Sequence, residues 1–347
     1  MRFYTQKHKY YCGVDLHVRT MYLCIVNQAG KVLLHRNMPC DPQKFLRAIT
    51  PYRKGLAVAA ECMFTWYWLA DLCDRERIPF VLGHALYMKA VHGGKAKNDK
   101  IDSKKIAMLF QGGNLPEAYV YPAKMRSTRD LLRRRTYFVR KRAELSGHIQ
   151  NTRSQANLTP HGKKLKYNAN REGVDEGIDD PAMKKNIELD LWTMEYYDGL
   201  IRNLELGLVQ TAKIHNPNDF HLLKTVPGIG NILGMTILYE IHEIRRFPRV
   251  QDFASYARLV KCATESAGKR TGTSGAKIGN AHLKWAFSEG AALFLQKCEG
   301  AKKYFARLES KHGKGMALSV LAHKLGRAVY FMLKRKVAFD IERFIKA

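Results

Sequence analysis

Four carboxylates in the first third of the chain have the types and spacing that metal-dependent phosphodiester chemistry requires. Asp15 and Glu61 each end a predicted apolar strand, where a charge needs a structural or chemical reason. Asp99 and Asp102 are three positions apart, so on a helix their side chains share one face. Two-metal cleavage needs several carboxylates around hard cations about 4 Å apart. The four residues are therefore candidate ligands of a divalent cation.

Each of these residues also has a simpler interpretation. Asp15 or Glu61 alone could be a strand-end carboxylate that faces water. Asp99 could cap a helix, with Asp102 as a first-turn acid beside the helix N-terminus. These interpretations explain the four residues one at a time but not their joint pattern.

The elements that must position the carboxylates form a mixed sheet with helices. Strands are predicted at 10–14, 21–26, 32–35, 55–60 and 80–82. Helices are predicted after Asp41-Pro42, over 66–77 and from about Asp99. This order fits an α/β domain of the ribonuclease-H type over 1–122.

Residues 123–215 are predicted to form two long helices that pair as an antiparallel hairpin or a coiled coil, within or between subunits. The first helix is strongly basic, and the second repeats apolar residues at steps of three and four. The intervening run 159–181 is predicted to be a mobile loop. The residues of the basic helix expected to contact nucleic acid are Arg129, Arg133, Arg134, Arg135, Arg140, Lys141 and Arg142.

Residues 216–347 are predicted to be mainly helical. The run from Val226 to Gly230 lies between two predicted helices and is similar to a helix-hairpin-helix, in which the amides of Gly228 and Gly230 would bind a phosphate. A plain tight turn is the alternative. The segment 265–280 is rich in glycine, serine and cations, so it is either a basic loop on a phosphate backbone or the site of a serine nucleophile.

Composition points to a polyanionic partner. The chain has 59 Lys and Arg against 31 Asp and Glu, a formal net charge of +28. No segment approaches the roughly 18 to 20 apolar residues of a spanning helix, and the run from Met1 to Tyr10 does not have the pattern of a secretory signal. The 7 cysteines include no C-x-x-C pair, which argues against disulfides and structural zinc. A cytoplasmic, nucleoid-associated protein without a membrane partner is expected.

The chain resembles the DEDD transposases of the IS110 insertion-sequence family, which are related to the Piv DNA invertases. The resemblance covers nearly the whole chain, and its most specific part is the segment from Ser266 to Leu283, with Lys277, Gly279 and Asn280 at matching positions. Ala267 departs from the pattern, because glycine is common there. The other matching residues are Gly13-Val14-Asp15, Glu61, the run from Lys97 to Ser103, and the run from Val226 to Gly230.

The resemblance implies a RuvC-like domain, a coiled-coil insertion and a C-terminal transposase domain that bears a serine. Asp15, Glu61, Asp99 and Asp102 would then hold Mg²⁺ or Mn²⁺, and Ser266 would attack DNA to form a phosphoserine link. Ser274 is a second serine nearby, but motif spacing favours Ser266.

The resemblance also implies partners. Donor and target DNA would be selected by a structured non-coding bridge RNA, and strand exchange between two duplexes favours a homodimer or homotetramer. The further residues expected to contact nucleic acid are Lys97, Lys100, Lys269, Arg270 and Lys277.

Two alternatives stay open at this stage. A RuvC-like nuclease or junction resolvase would hydrolyse DNA with the carboxylates alone and would form no covalent intermediate. A non-catalytic nucleic-acid-binding protein would use the carboxylates only as structural groups.

Overall fold

The structure is a computed structural model that describes residues 2–91, 98–274 and 278–346. The chain divides into two compact units, Met1–Ala123 and Lys124–Ala347, each with its own hydrophobic core. The predicted division into 1–122, 123–215 and 216–347 separates the second unit further and stays a prediction.

The first unit is a mixed sheet with helices on both faces. Its strands lie in the order β3-β2-β1-β4-β5-β6, with β1 antiparallel to β2 and parallel to β4. The strands are β1 (Tyr10–Leu16), β2 (Thr20–Asn27), β3 (Val32–Pro39), β4 (Leu56–Glu61), β5 (Phe80–Gly83) and β6 (Glu117–Ala118). The helices are α1 (Pro42–Ile49), α2 (Tyr67–Arg75), α3 (Ala85–Val91) and α4 (Asp99–Gln111).

Alternate residues of the central strands face two separate cores, as the period of two in a strand requires. Cys12 and Val14 pack in a core with α1 and α2, whereas Tyr11 packs in a second core that includes Phe110 of α4. Because both faces are covered, β1 and β4 are almost completely buried. The predicted mixed sheet with helices is confirmed. The short elements α3 and β6 were not predicted.

Helix α4 lies directly on strand β1 at Gly13. A Cβ atom on this residue would be 2.3 Å from the amide nitrogen of Ala107 and 2.5 Å from the carbonyl oxygen of Ser103. Both distances are far shorter than any van der Waals contact, so only glycine permits this approach. The first turn of α4 carries Asp99 and Asp102, and the close contact therefore brings them to the end of β1.

Two further contacts fix the start of α4. Asn98 is the N-cap, because its side chain accepts a hydrogen bond of 2.8 Å from the amide of Ile101. The Nε2 atom of His35 on β3 lies 2.9 Å from the carbonyl oxygen of Lys100 and 3.2 Å from Oγ of Ser103. Asp99 is the first residue of α4, so the alternative in which it caps the helix is wrong.

The second unit is largely helical, as predicted. It also contains one small antiparallel sheet, with strands β7 (Cys262–Ser266) and β8 (Lys269–Ser274). Its helices are α5 (Ala123–Gln155), α6 (Pro181–His215), α7 (Pro217–Lys224), α8 (Asn231–Ile241), α9 (Val250–Tyr256), α10 (Ala281–Lys297), α11 (Glu299–His312), α12 (Lys314–Arg335) and α13 (Ile341–Lys346).

Helices α5 and α6 are the two long helices that the sequence predicts, and side chains connect them along their length. Ion pairs join Arg135 to Glu205 at 2.7 Å and His148 to Asp190 at 2.5 Å. The pair further along α5, at His148, involves the earlier residue on α6, Asp190, so the two helices run antiparallel.

The run between α5 and α6 is packed against the helices, so the expected mobile loop is not observed. Leu165, Val174 and Ile178 are buried in a small core with residues of both helices. The buried guanidinium group of Arg153 donates to the carbonyl oxygen of Val174 at 2.6 Å, and that of Arg171 donates to the carbonyl oxygen of Leu165 at 3.0 Å. The apolar residues are scattered along the run, and one of the two donors, Arg153, belongs to α5, which is why the run resembled a polar loop.

We expect Gly13→Ala to destabilise the first unit by about 1 to 3 kcal/mol, because the added methyl group overlaps the α4 backbone. Differential scanning calorimetry would show this as a lower melting temperature. Gly147→Ala is the matched control, since a Cβ atom there meets nothing within 4 Å. Gly147 is inside α5, so this change should leave the stability unchanged or raise it by up to about 1 kcal/mol. An unchanged melting temperature for Gly13→Ala would contradict the close approach.

Candidate active site

All four predicted carboxylates line one cleft of the first unit. The cleft has a volume of about 430 Å³, and His17 and Thr65 also line it. Asp15 comes from β1, Glu61 is the last residue of β4, and Asp99 and Asp102 come from the first turn of α4. Because β1 and β4 are parallel neighbours, their carboxyl ends meet at the same edge of the sheet.

Three side chains form the tightest group in this cleft. Nε2 of His17 lies 3.4 Å from Oδ2 of Asp15 and 3.3 Å from Oδ1 of Asp99. One ligand atom from each of the three residues lies within 4.8 Å of the other two. Asp102 lies beside this group and forms an ion pair of 3.5 Å with Lys105. The cleft therefore offers both carboxylate oxygens and an imidazole nitrogen to a cation.

The electrostatics of the cleft favour a bound cation. Burial raises the pKa of the Asp15 carboxyl above its usual range. His17 opposes this rise, and the negative charges of Asp99 and Asp102 add to it. A divalent cation among these groups would remove the repulsion between the carboxylates. The residues present thus fit a divalent metal.

His17 was not predicted as a site residue. It lies in the turn between β1 and β2, where its amide donates to the carbonyl oxygen of Thr20 at 3.0 Å. A signal was present in the sequence, because residues two apart in a strand share one face and His17 follows Asp15 at that spacing. The contact with Asp99, which is 82 positions further along the chain, could not be read from the sequence.

Ser266 is exposed at the turn of the β7-β8 hairpin, in the second unit. It pairs with Lys269, and the two residues between them, Ala267 and Gly268, both have positive φ angles of 49° and 74°. Tight two-residue hairpin turns favour glycine or asparagine at such positions. Ala267 therefore adopts a conformation that is strained for an alanine. Ser274 belongs to β8, and its side chain lies outside the described residues.

The C-terminal end of the hairpin segment returns to the C-terminal end of α9. The amide of Asn280 donates to the carbonyl oxygen of Tyr256 at 2.6 Å, and Nε of Arg258 donates to the carbonyl oxygen of Ile278 at 2.8 Å. Gly279 lies between these two bonds, where a Cβ atom would be 2.7 Å from the same Tyr256 oxygen. The matching glycine and asparagine of the segment thus close the base of the hairpin.

Asn280 is also part of a buried polar network around Glu240. Its side chain caps α10 by accepting from the amides of His282 and Leu283, and it donates to Oε2 of Glu240 at 2.7 Å. Glu240 is 1% exposed and also receives hydrogen bonds from Nε of Arg129 at 2.9 Å and Nε of Arg133 at 2.7 Å. Burial by itself raises the pKa of Glu240, but the hydrogen bond from Arg133 and the two positive charges outweigh it and lower the pKa to about 2.

Several of the basic residues that were expected to contact nucleic acid form ion pairs within the protein. Arg135 pairs with Glu205, Lys141 pairs with Glu144, and Arg142 pairs with Asp198. These residues, like Arg129 and Arg133, have acidic partners within the protein.

Other predicted contact residues are exposed. Arg134 and Arg140 are exposed on α5, and Arg134 stacks over the ring of Phe138 at 4.8 Å. Lys100 and Lys269 are also exposed. Lys97, Lys277 and the side chain of Arg270 lie outside the described residues.

The two glycines of the predicted helix-hairpin-helix, Gly228 and Gly230, differ in their surroundings. Gly228 is buried against α10, where a Cβ atom would be 2.6 Å from the amide nitrogen of Phe294. Gly230 is exposed and is the N-cap of α8. Gly228 therefore has a packing role, and the amide end of α8 begins at Gly230.

Comparisons with known proteins agree on one class of enzyme. Residues 12–157 match a transposase family model of the DEDD type from the IS110 group, and residues 220–306 match the transposase IS116/IS110/IS902 family. The transposase for insertion sequence element IS1111A from Coxiella burnetii is 22% identical over 337 residues, which cover 94% of this chain and 90% of that protein. Among the helices of the described residues, none is long and apolar enough to cross a membrane.

These matches identify a DNA transposase, and the DEDD match together with the cluster of Asp15, His17 and Asp99 indicates a divalent metal. The chain belongs to the IS110 family of insertion-sequence transposases.

We expect the ionised Glu240 carboxylate to stabilise the second unit by about 3 kcal/mol at neutral pH. Its pKa in the folded protein lies below the value of about 4.3 in an unfolded chain, so this contribution is present above about pH 5. It is lost as the pH falls towards 2. Urea unfolding of the wild type and of Glu240→Gln should therefore show a difference in stability at pH 7 that shrinks at pH 3.

Glu299→Gln is the control for this measurement. Glu299 forms an exposed ion pair with Lys302 on one helix, at 2.7 Å, and its removal should change the stability little at either pH. A stability difference for Glu240→Gln that stays the same from pH 7 to pH 3 would contradict the assigned charge state.

Proposed function

We propose that this transposase cuts and rejoins DNA strands with a metal-binding DEDD site and a serine nucleophile. Asp15, Glu61, Asp99 and Asp102 hold Mg²⁺ or Mn²⁺, and Ser266 attacks the DNA. The observation that carries the proposal is the cleft that all four carboxylates line. Carboxylate oxygens are the ligands that these hard cations prefer.

A divalent cation in the cleft would stabilise the negative charge that develops on the phosphate oxygens. The protein supplies the ligands from two parallel strands and one helix turn, which hold them at fixed positions. Asp15, with a side chain that is 14% exposed, is the most deeply placed carboxylate of the close group.

The serine step is a transesterification. Oγ of Ser266 forms a bond to a phosphorus atom of the DNA backbone as one P–O bond to a sugar oxygen breaks. The serine hydroxyl loses its proton, and the leaving sugar oxygen takes up a proton. The number of phosphate ester bonds is unchanged, so the phosphoserine link can be attacked by a second DNA end without an external energy source. The exposure of Ser266 and its pairing with Lys269 support this role, because the lysine provides a positive charge near the attacked phosphate.

Donor and target DNA are proposed to be selected by a structured bridge RNA encoded by the element. The net charge of +28 suits a protein that holds two kinds of nucleic acid. The exposed residues Arg134 and Arg140 are proposed to contact their phosphates, together with Lys100 and Lys269. The helix-hairpin-helix interpretation is retained for the exposed amide end of α8 at Gly230.

The organisation proposed for the chain has three parts. Residues 1–122 form a RuvC-like domain, 123–215 form a coiled-coil hairpin, and 216–347 form the transposase domain. The hairpin is proposed to pair between subunits of a homodimer or homotetramer. Exposed apolar side chains on α6 support this pairing, since Trp192 is 55% and Tyr196 is 65% exposed. Because its substrates are DNA, the protein is proposed to associate with the nucleoid.

We expect Ser266→Ala to abolish both strand rejoining and any covalent link between protein and DNA, since it removes the nucleophile. The measurement is strand exchange on DNA that carries the element's ends, in the presence of the RNA encoded beside the gene, with the covalent adduct detected on denaturing gels. DNA binding should persist in Ser266→Ala. Ser274→Ala is the matched control and should retain the adduct, whereas Asp15→Asn should lose cleavage.

Each other outcome identifies a different mechanism. An adduct that persists in Ser266→Ala rules out this serine as the nucleophile. Cleavage by the wild type without any adduct would favour a nuclease or junction resolvase. Unchanged activity in Asp15→Asn would mean that the carboxylates are structural.

We expect the double change Arg134→Ala and Arg140→Ala to weaken DNA binding and to make it less dependent on salt. Each phosphate contact releases about one cation. The slope of log affinity against log salt concentration is negative, and its magnitude should decrease by about two in the double variant. Arg135→Ala is the control, because Arg135 pairs with Glu205, and its loss should affect stability more than the salt slope. An unchanged slope in the double variant would place the DNA elsewhere.

A further inference from the structure

His17 is a nitrogen donor at the centre of a cleft whose other polar groups are mainly carboxylates. Its Nε2 atom lies between Asp15 and Asp99, at 3.4 Å and 3.3 Å from the nearest oxygen of each. Charge-assisted hydrogen bonds between nitrogen and oxygen are shorter, at about 2.7 to 2.9 Å. The distances from His17 to Asp15 and to Asp99 are thus both longer than the distance in a direct ion pair between His17 and one carboxylate.

The same distances are close to the spacing of ligands around one metal ion. Ligands of an octahedral ion at about 2.1 Å are roughly 3 Å apart when they are neighbours and roughly 4 Å apart when they are opposite. The three ligand atoms of Asp15, His17 and Asp99 all lie within 4.8 Å of one another. A single cation could therefore contact all three with small side-chain movements.

The backbone fixes each of the three residues independently. His17 is held in the tight turn by the bond from its amide to the carbonyl oxygen of Thr20, and Asp15 belongs to a buried central strand. Asp99 begins α4, whose position is set by the close contact at Gly13. The group is consequently preorganised by the strand, the turn and the helix.

The chemistry of the donors determines which cation is preferred. Mg²⁺ and Ca²⁺ favour oxygen ligands only. Mn²⁺ also takes carboxylate oxygens, but it begins the first-row transition series, whose ions accept imidazole nitrogen more readily than Mg²⁺ does. A site with one imidazole and two or more carboxylates is therefore expected to bind Mg²⁺ less tightly than a site made of carboxylates alone.

We propose that His17 is a ligand of the divalent cation in the carboxylate cleft and that its nitrogen makes the cleft prefer Mn²⁺ to Mg²⁺. This inference rests on the proposed function in one respect, namely that the carboxylates hold a divalent cation. It adds a fifth residue to the four carboxylates and assigns the choice of metal to it.

The test measures the bound metal directly and does not depend on activity. The full-length protein is loaded with Mn²⁺ alone, and electron spin echo spectroscopy detects whether a ¹⁴N nucleus is coupled to the ion. The wild type should show the nitrogen signal, and both His17→Gln and His17→Ala should lose it. Calorimetric titration should show at least about a tenfold loss of Mn²⁺ affinity in these variants and a smaller loss of Mg²⁺ affinity.

His148→Gln is the matched control, because His148 is an exposed histidine that also contacts a carboxylate, at 2.5 Å from Asp190. It should retain both the nitrogen signal and the Mn²⁺ affinity. Circular dichroism on all variants checks that they are folded. A nitrogen signal that survives in both His17 variants, or equal losses of Mn²⁺ and Mg²⁺ affinity, would overturn the inference.

Asp15→Asn separates this inference from the proposed function. If Asp15→Asn abolishes Mn²⁺ binding while the His17 variants keep a wild-type spectrum, the carboxylates hold the metal and only the role of His17 is wrong. If Asp15→Asn binds Mn²⁺ like the wild type, the cleft is not the metal site and the proposed function fails as well.

Discussion

The backbone contact between α4 and β1 at Gly13 is the constraint on which the carboxylate cleft depends. Asp15 and Glu61 lie at neighbouring strand ends because β1 and β4 are parallel, but Asp99 and Asp102 belong to a helix that follows much later in the chain. That helix can approach the strand only because Gly13 has no side chain. A side chain at this position would push the first turn of α4, with both acids, away from the strand ends.

The second unit depends on a different interaction, the buried carboxylate of Glu240. A carboxylate that is 1% exposed is stable only with several donors, and Arg129, Arg133 and Asn280 provide them. The network joins α5 and α8 to the cap of α10, next to the base of the hairpin that bears Ser266. It also uses positive charges that composition alone would assign to nucleic acid.

The strands and long helices were predictable because their apolar residues repeat with the periods of a strand and a helix. The elements α3 and β6 are too short for such a repeat to be visible. The run between α5 and α6 was misinterpreted because its ordering comes from scattered apolar residues and from Arg153 and Arg171, which donate to backbone carbonyl groups. No local pattern in the sequence indicates bonds of that kind.

The sequence by itself identified the family, the large positive charge and the residues that are candidates for chemistry, namely the four carboxylates and the serine segment. Residue types, local periodicity and motif spacing are sufficient for those conclusions. Only the tertiary structure decided which groups meet. It placed His17 between Asp15 and Asp99, paired Arg129 and Arg133 with Glu240, and buried Gly228 against α10. These contacts join residues up to 111 positions apart, and such distances close only when sheet and helices pack.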